Sequence, residues 1–527
     1  MKISNIITLF CGIILFFTSC KKEFETFPNN PNLAGENGSV PPQYLLRDLL
    51  NSVRVGADRP EEPLTDISRL NQFTTGLTFP LYGGSNLYNW QSTGDSYPWI
   101  RNIEKLNENA TRALGTKNNP YLTLGKFLRV YSYIWLTQRV GDIPTLEAGK
   151  GLANPTPKFD SQEDIYLNAL NTLDTVNREL ATIAADVNAP KLNGDFYFAN
   201  NLTSWRRAVN AYQLRLLISL SKRADDSPKL QVKERFAKIV NSPTDYPLYR
   251  TNADNWNYNF LPVTNRYPTQ FLRLYSLETT VSKTILDLLK NNNDPRIFIA
   301  ATPAPGQITA GKKVDDFEAY NGSDNSRGQG TLFTESQGTR GLYSYVNYIR
   351  YLRGPDFIAE PYIMCGYSEM CFNIAEAANR GWLNADAAKY YEDGVRASLL
   401  FYGIAQGTKL TISGPTGAVI GEATANVTDF LAKVKYAGNN ATGLRQILEQ
   451  KYVAFWQNSG WEAYYQFRRT GIPKFAEGAG TNAQGKIPSK WLYPVREVVN
   501  NPINAKLAID KQFGGKDDVF ALMWLIK

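Results

Sequence analysis

Residues 367–399 read YSEMCFNIAEAANRGWLNADAAKYYEDGVRASL and predict two helices joined by a short turn. Apolar residues recur at three- and four-residue spacing on both sides of the turn, which is typical of amphipathic helices. Gly381 favours the end of the first helix, and Asn384 is a suitable N-cap for the second. Small Ala and Gly side chains allow the two helices to pack closely. The stretch therefore predicts a helix–turn–helix unit of tetratricopeptide character, although the chain lacks a strict 34-residue repeat.

Helical spacing extends through most of the chain. Further apolar stripes lie at Leu124–Trp135, Ile165–Leu180, Trp205–Ser219 and Leu444–Phe455. Gly141, with Pro144 three residues beyond, predicts the end of the first of these helices. Asp160 and Glu163 form a capping-box pattern that predicts the start of the second. The chain is therefore predicted to be mainly α-helical.

Composition limits the chemistry available to the protein. The chain has 527 residues, 43% hydrophobic and 20% charged, as in ordinary soluble globular proteins. It contains no histidine. This absence excludes Ser-His-Asp and Cys-His nucleophile systems, His-ligated zinc and imidazole general bases. Hydrolysis by a pair of carboxylates remains possible, because it needs two acidic side chains and no histidine.

The net charge of +8 raises the question of a nucleic-acid partner. The basic residues, however, are scattered along the chain. The closest pairs are isolated from one another, at Lys21–Lys22, Arg206–Arg207, Lys312–Lys313 and Arg468–Arg469. We interpret this charge as a mildly basic, solvated surface and expect no nucleic acid to bind.

The first twenty residues have the features of a secretion signal followed by a lipid anchor. Met1 and Lys2 give a positive start, and residues 6–17 form an apolar stretch too short to span a bilayer as a helix. Small residues then precede Cys20, as at bacterial lipoprotein cleavage sites, although Phe17 stands where leucine is usual. Cleavage would leave an acylated Cys20 that holds the protein on a membrane. The alternative is an ordinary secretory signal with an incidental cysteine.

The chain is accordingly divided into a signal peptide at 1–19, a lipidated tether at 20–40 and one folded domain at 41–527. The tether is polar and rich in Pro and Asn, which is typical of an extended linker. Cys365 and Cys371 are both predicted on one helix, where six residues rise about 9 Å. This separation exceeds the Cα spacing of a disulfide, about 4.4–6.8 Å. The domain is therefore predicted to have no disulfide.

Three stretches between the helices, residues 76–99, 251–268 and 302–356, are rich in Gly, Asn and aromatic residues. Loops this long inside a folded domain are usually functional. Rings stack on the C–H faces of sugars while Asn and Arg bind hydroxyls, and extended peptides can use the same surfaces. Any single ring can instead pack against the helical scaffold. The candidate ligand contacts are Tyr82, Asn86, Tyr88, Trp90, Trp256, Asn257, Tyr258, Arg266, Tyr267 and Tyr320.

Other polar features are interpreted as structural. Glu376, on an Ala-rich helix, is expected in a buried network, and Arg468 and Arg469 in charged pairs that fix the C-terminal segment. The oxygen-rich loop at 321–325 lacks the ordered acids and terminal Glu of an EF-hand. We predict neither a metal site nor another cofactor.

In these features the chain resembles the SusD/RagB family of outer-membrane nutrient-binding lipoproteins. Single motifs such as Asp-Pro-Arg are weak, but their order over nearly the whole mature chain is specific. The motifs are Cys20–Glu25, Asn30–Asn32, Gly141–Pro144, Pro157–Tyr166, Gly194–Asp195, Trp205, Leu214–Leu216, Asp294–Arg296, Ala375–Ala378, Gly381–Trp382, Gln450–Tyr452, Phe467–Pro473 and Tyr493–Pro494.

The resemblance implies a fold, a location and a partner. The fold would be one α-helical domain with four tetratricopeptide-like helix pairs as a scaffold and ligand-binding loops on one side. The protein would be lipid-anchored on the outer membrane, facing outward, and would close as a lid over a SusC-like TonB-dependent transporter. The family carries binding and no catalysis, so no enzyme activity is expected.

Three functions are compatible with the sequence. The first is capture of an oligosaccharide or peptide nutrient for delivery to the transporter. The second is a glycoside hydrolase that uses two carboxylates about 5–10 Å apart in a cleft. The third is a structural helical-repeat adaptor, which would have an aromatic-poor concave surface. The aromatic content of 76–99 and 251–268 favours the first over the third.

Overall fold

The computed structural model describes residues 39–55, 63–77, 86–268, 277–337, 341–352, 358–482 and 484–527. The predicted signal peptide, Cys20 and all but the last two residues of the tether lie outside these ranges, as does Tyr82. About 51% of the described residues are helical, which confirms the mainly α-helical prediction.

The described residues form nineteen α-helices. In chain order they are α1 Pro42–Val55, α2 Asp66–Leu70, α3 Tyr97–Leu114, α4 Pro120–Val140, α5 Gln162–Ala185, α6 Leu202–Ser219, α7 Val232–Asn241, α8 Lys283–Asn291, α9 Ile297–Ala300, α10 Pro305–Thr309, α11 Gln329–Ser336, α12 Tyr348–Tyr351, α13 Tyr367–Asn379, α14 Ala387–Phe401, α15 Val427–Lys433, α16 Ala441–Ala454, α17 Glu462–Thr470, α18 Val495–Asn500 and α19 Pro502–Phe513.

Short strands make three separate two-stranded sheets in the described part of the chain. The strands are β1 Thr74–Gly76, β2 Trp256–Tyr258, β3 Thr279–Val281, β4 Tyr362–Cys365, β5 Lys409–Ser413 and β6 Val419–Thr424. All pairs are antiparallel: β1 with β3, β2 with β4, and β5 with β6. Each sheet is too small to be stable alone, so each depends on the helices against which it packs.

Consecutive long helices pack side by side, from α3 through α6, and α13 packs against α6, α14 and α16. Helix α4 is the most deeply buried, because only Leu122, Lys126 and Arg129 along its length are not buried. A helix that is apolar around nearly its whole circumference belongs inside a core. One continuous cluster of buried apolar side chains includes residues from Leu46 to Ile526.

The predicted helix boundaries are mostly confirmed. Helix α4 ends before Gly141, whose φ is +99° and whose N–H donates to the Thr137 carbonyl. The start of α5 differs from the prediction by one residue, because Ser161 accepts from the Asp164 N–H as N-cap. Asp160 instead accepts hydrogen bonds from the backbone N–H groups of Thr145 and Leu146 and fixes the preceding turn.

Two details of the helix–turn–helix unit need correction. Asp386, not Asn384, is the N-cap of α14, since its side chain accepts from the Lys389 N–H. Cys365 lies on β4 and only Cys371 lies on α13, so the two cysteines do not share a helix. Cys365 belongs to a buried strand because its segment pairs with β2. Both cysteines are buried and free in the structure.

Buried ion pairs connect the C-terminal helices to the scaffold. The Arg469 Nη2 donates to Glu376 Oε2 at 2.8 Å, and Arg380 pairs with the same carboxylate. Burial would raise the pKa of Glu376, but these guanidinium groups outweigh it and hold the pKa at about 2. Arg215 makes a second buried pair with Glu369 at 2.7 Å. The structural interpretation of Glu376 and Arg469 is confirmed.

Candidate ligand-binding site

The aromatic residues of β2 lie in the core. Trp256 is 0% exposed, and its ring lies 5.5 Å from Phe127 and 5.6 Å from Tyr131 between ring centroids. Tyr258 is 7% exposed, and both rings contact Tyr197. Pairing of β2 with β4 directs these two rings to the helical layer. The expectation that they are exposed platforms is therefore wrong.

Three further tyrosines are also buried. Tyr88 donates its hydroxyl to the Leu70 carbonyl at 2.6 Å, and Tyr320 donates to the Val314 carbonyl at 2.9 Å. Tyr267 is 2% exposed and packs edge-on against Phe260. Burial raises the pKa of each hydroxyl. The expected exposure is wrong for these rings as well, because neighbouring apolar groups cover them and, for Tyr88 and Tyr320, a backbone carbonyl satisfies the hydroxyl.

Asn86 is a structural residue in the described conformation. Its Oδ1 accepts from the Gly76 N–H at 2.8 Å, and its Nδ2 donates to the Gly76 carbonyl at 2.9 Å. The side chain is 1% exposed. It therefore completes the hydrogen bonds of the end of β1 and offers no free amide to a ligand.

The remaining candidates are accessible in part or lie outside the described residues. Trp90 is half-buried, stacked on Trp491 at 3.8 Å with the rings 8° from parallel. Asn257 is half-buried on the opposite side of β2 from Trp256, and Arg266 is exposed. Tyr82 lies outside the described ranges. Ligand contact by these four residues stays a prediction.

An open groove of about 570 Å³ lies where the loop after Trp90 enters α3. We call it the Glu497 groove. Its walls are the first three turns of α3, the loop at 148–157 and helix α18, and Tyr97 and Pro98 supply apolar surface. Its volume falls within the range of about 300–1,000 Å³ that is typical of ligand sites.

Glu497 and Asp95 are the two carboxylates at the α18 side of this groove. Burial, followed by the nearby charge of Asp95, raises the pKa of Glu497 to about 7. Asp95 accepts from the Tyr97 N–H at 3.1 Å and lies 3.9 Å from the Arg496 guanidinium. Burial also raises the pKa of Tyr97, whose hydroxyl donates to the Pro144 carbonyl. The groove therefore contains a carboxyl group that gains or loses its proton near neutral pH.

A second groove, of about 600 Å³, lies between α8, α16 and residues 473–477. Among the described residues that line it, Phe475 is the one aromatic, and this ring is 1% exposed. Lys283 on its rim pairs with Asp287. The second groove thus lacks an accessible ring for stacking, and the Glu497 groove is the better candidate for a sugar.

Two interior cavities lined by described residues are small and polar. One of about 30 Å³ is lined in part by Tyr131, Trp135, Arg215 and Trp461. A cavity of this volume has room for one or two water molecules and not for a sugar ring. Among the described residues, no group of three or more acidic or cysteine side chains could hold a metal ion. No helix of the described part is long and apolar enough to cross a bilayer.

The groove residues were missed by sequence reasoning for a simple reason. Tyr97 lies in the aromatic stretch at 76–99, but Arg101, Lys150 and Glu497 come from segments far apart in the chain. No local pattern marks them.

Comparison with known proteins gives one family. The family described as "starch-binding associating with outer membrane" matches residues 45–494 of this chain. No curated protein matches this chain. A solved SusD homologue of Bacteroides fragilis is 26% identical with a TM-score of 0.79, and 93% of this chain covers 100% of that one.

Other solved structures agree. A second Bacteroides fragilis SusD homologue is 28% identical with a TM-score of 0.73, over 93% of this chain and 99% of the other. A candidate nutrient-binding outer membrane protein of Bacteroides vulgatus is 27% identical with a TM-score of 0.76, over 93% and 100%. A chitin-binding protein at 22% identity and a TM-score of 0.68 shares the fold, over 92% and 99%.

Proposed function

Since this chain belongs to the SusD-like family of starch-binding proteins that associate with the outer membrane, we propose that it captures an oligosaccharide at the cell surface. It then delivers this ligand to a SusC-like TonB-dependent transporter. The observation that carries the proposal is the family match over residues 45–494. Peptide is the other ligand class that the surface chemistry allows.

The anchor is part of this proposal. A signal peptide at residues 1–19 and acylation of Cys20 would hold the protein on the outer membrane, facing outward. Metabolic lipid labelling of the wild type and Cys20→Ala tests it. Equal labelling of the two proteins would refute the anchor.

We propose contacts by Trp90, Asn257, Arg266 and Tyr82 individually, as the sequence predicts, and separately by the Glu497 groove. Stacking on one ring contributes about 0.5–1.5 kcal/mol beyond area burial, so affinity should be modest. Modest affinity suits a protein that must release its ligand to a transporter.

Calorimetry of Trp90→Ala with a panel of oligosaccharides tests the contact proposed for Trp90. Tyr44→Ala is the matched control, because Tyr44 is a ring on α1 that is 62% exposed. We expect weaker binding in Trp90→Ala and none of this loss in the control. Trp256 is unsuitable for such a test, because its removal would damage the core.

An exposed aliphatic ridge beside the groove supports a protein partner. Val495, Val499, Ile503 and Leu507 recur at four-residue spacing on α18 and α19 and are 62–75% exposed. Exposed apolar patches of this kind mark interaction surfaces. Because α18 also lines the groove, a transporter docked on the ridge would lie next to bound ligand.

Co-purification with a co-expressed SusC-like transporter tests the ridge. The double variant Ile503→Asp, Leu507→Asp should lose most of the co-purified transporter. Leu400→Asp is the control, because Leu400 on α14 is 63% exposed and not on the ridge. Equal recovery from both variants would refute this docking surface.

The carboxylate-pair hydrolase is the second candidate, and one observation favours it. Asp95 and Glu497 line the same open groove, and a carboxyl with a pKa of about 7 is suited to act as a general acid. Chromatography of oligosaccharides incubated with wild type and Glu497→Gln shows whether the protein hydrolyses them. Shortened products formed by the wild type alone would establish hydrolysis.

A further inference from the structure

The charged side chains of the Glu497 groove are unequally paired. Acidic and basic residues are equal in number, but several are engaged with one another. Glu104 pairs with Arg129, and Lys105 lies 3.3 Å from Glu108. Asp95 faces Arg496 at 3.9 Å. These ion pairs offset most of the side-chain charges in the groove.

Two cations are left over. Arg101 and Lys150 line the groove and are exposed, and neither side chain has an ion pair or hydrogen bond within the described residues. Arg101 is on the second turn of α3, and Lys150 is on the loop opposite. A ligand in the groove therefore meets two positive charges that form no ion pair within the described part of the chain.

The acid left over behaves differently. Glu497 has no ion pair in the described part of the chain, and the groups that face it are Asp95, Arg496, Tyr97 and the buried Tyr493. With a pKa of about 7, the Glu497 carboxyl is partly protonated at neutral pH, and a small further rise in its pKa leaves it neutral. A second anion brought into the groove would supply that rise, because a nearby negative charge favours the protonated carboxyl. Glu497 would then donate a hydrogen bond to the anion instead of repelling it.

We infer that the Glu497 groove binds an acidic oligosaccharide, whose carboxylate or sulfate group is held between Arg101 and Lys150. This inference rests on the proposed function and names its ligand class. A guanidinium binds carboxylate or sulfate oxygens through paired hydrogen bonds, and the ammonium adds a point charge. The half-buried ring of Tyr97 gives the sugar an apolar surface beside these charges.

Calorimetry with three tetrasaccharides tests the inference: oligogalacturonate, a sulfated galactan fragment and neutral maltotetraose. At least one acidic probe should bind the wild type, with affinity that falls as salt increases. The carboxylate and sulfate probes identify which anion is preferred. The double variant Arg101→Gln, Lys150→Gln should lose about tenfold in affinity for that probe, in keeping with two charge-assisted contacts.

The matched control lies at the C-terminal end of α3 and just beyond it. Arg112 and Lys117 are exposed cations near the other end of α3, and Arg112→Gln, Lys117→Gln removes the same net charge outside the groove. We expect less than a twofold change in this control. Equal losses in the two double variants would show a general effect of charge and would overturn the inference.

A pH series supplies an independent readout. Wild-type affinity for the acidic probe should fall as pH rises from 6 to 8, because ionised Glu497 repels the ligand. Glu497→Gln should bind with little dependence on pH in this range. A pH dependence that persists unchanged in Glu497→Gln would contradict the role given to this residue.

The failure of this inference is distinct from failure of the proposed function. Binding of maltotetraose without binding of either acidic probe overturns the ligand class and leaves capture intact. Binding of acidic probes that the groove variant does not weaken overturns the site. Absence of binding to every glycan, with binding of peptides, contradicts the proposed function itself.

Discussion

The surroundings of Trp256 and the Glu497 groove both combine aromatic rings with polar side chains, but they differ in what these groups contact. Around Trp256, rings pack on rings at centroid distances of 5.5–5.8 Å, and the tryptophan itself is 0% exposed. In the groove, Tyr97 is half-buried, and Arg101 and Lys150 face solvent without ion pairs among the described residues.

This difference shows that a segment rich in aromatic residues can belong either to the core or to a binding surface. A dense set of rings in one segment indicates buried area, because each ring gains most where other rings cover it. A binding surface instead retains polar groups that no neighbour satisfies. We therefore propose the groove, with its two exposed cations that form no ion pair among the described residues, as the place of ligand contact in preference to the ring-rich surroundings of Trp256.

Trp256→Ala should give the largest effect on stability. Removal of a fully buried tryptophan costs about 3–5 kcal/mol in the free energy of unfolding. Urea unfolding followed by circular dichroism measures the loss. Trp90→Ala should lose clearly less, because Trp90 is half-buried. Equal losses would mean that the two rings are not in different environments.

Glu376→Gln should give the next largest effect. The amide leaves Arg469 buried without its anion, and loss of one partner of a buried pair costs about 3 kcal/mol or more. The pKa of Glu376 is depressed to about 2, so its contribution is complete above pH 4.5 and is lost as pH falls toward 2.

Unfolding of wild type and Glu376→Gln at pH 7 and pH 3 measures this dependence. The difference between the proteins should be clearly smaller at pH 3. Lys283→Gln, which breaks an exposed pair, should change stability little at either pH. A difference that is the same at both pH values would argue against an ionised Glu376.

Glu497→Gln should change stability in the opposite direction. The pKa of Glu497 is raised, so the folded state holds its proton up to about pH 7 and loses stability as pH rises from 4.5 to 7. The neutral amide avoids that loss. Because the side chain is half-buried, we expect the variant to be more stable by about 1 kcal/mol at pH 8 and equal at pH 4. Thermal unfolding at the two pH values checks the sign.

Lys105→Gln should have the smallest effect. Its contact with Glu108 lies on the exposed face of α3, and such pairs contribute about 0–0.5 kcal/mol. Chemical unfolding should scarcely change, at low or high salt. A loss above about 1 kcal/mol would show that paired charges of the groove stabilise the fold more than exposed pairs do.

The sequence predicted the helical architecture because local rules apply to it. Gly141 ends α4 where the spacing and the glycine predicted, and the apolar stripes at three- and four-residue spacing are buried. Errors of one or two residues occurred at caps, where Ser161 and Asp386 competed with Asp160 and Asn384. Cys365 was misplaced because strand pairing with β2 depends on residues more than a hundred positions away.

The site was harder to predict for the same reason. Trp256 and Tyr258 have the composition of a binding loop, and only their pairing with β4 reveals that they face the helices. The groove joins α3 to α18 across most of the chain length, so no spacing could place Glu497 beside Asp95. Which charged side chains lack an ion pair after folding depends on the three-dimensional structure and not on local sequence.

The central claim, that this protein captures a glycan without transforming it, is tested most directly by calorimetry of the wild-type protein with neutral and acidic oligosaccharides. The same samples are then analysed by chromatography for ligand length. We predict saturable binding of at least one oligosaccharide and recovery of that ligand at its original length. Binding of peptides alone, or recovery of shortened oligosaccharide, would contradict the claim.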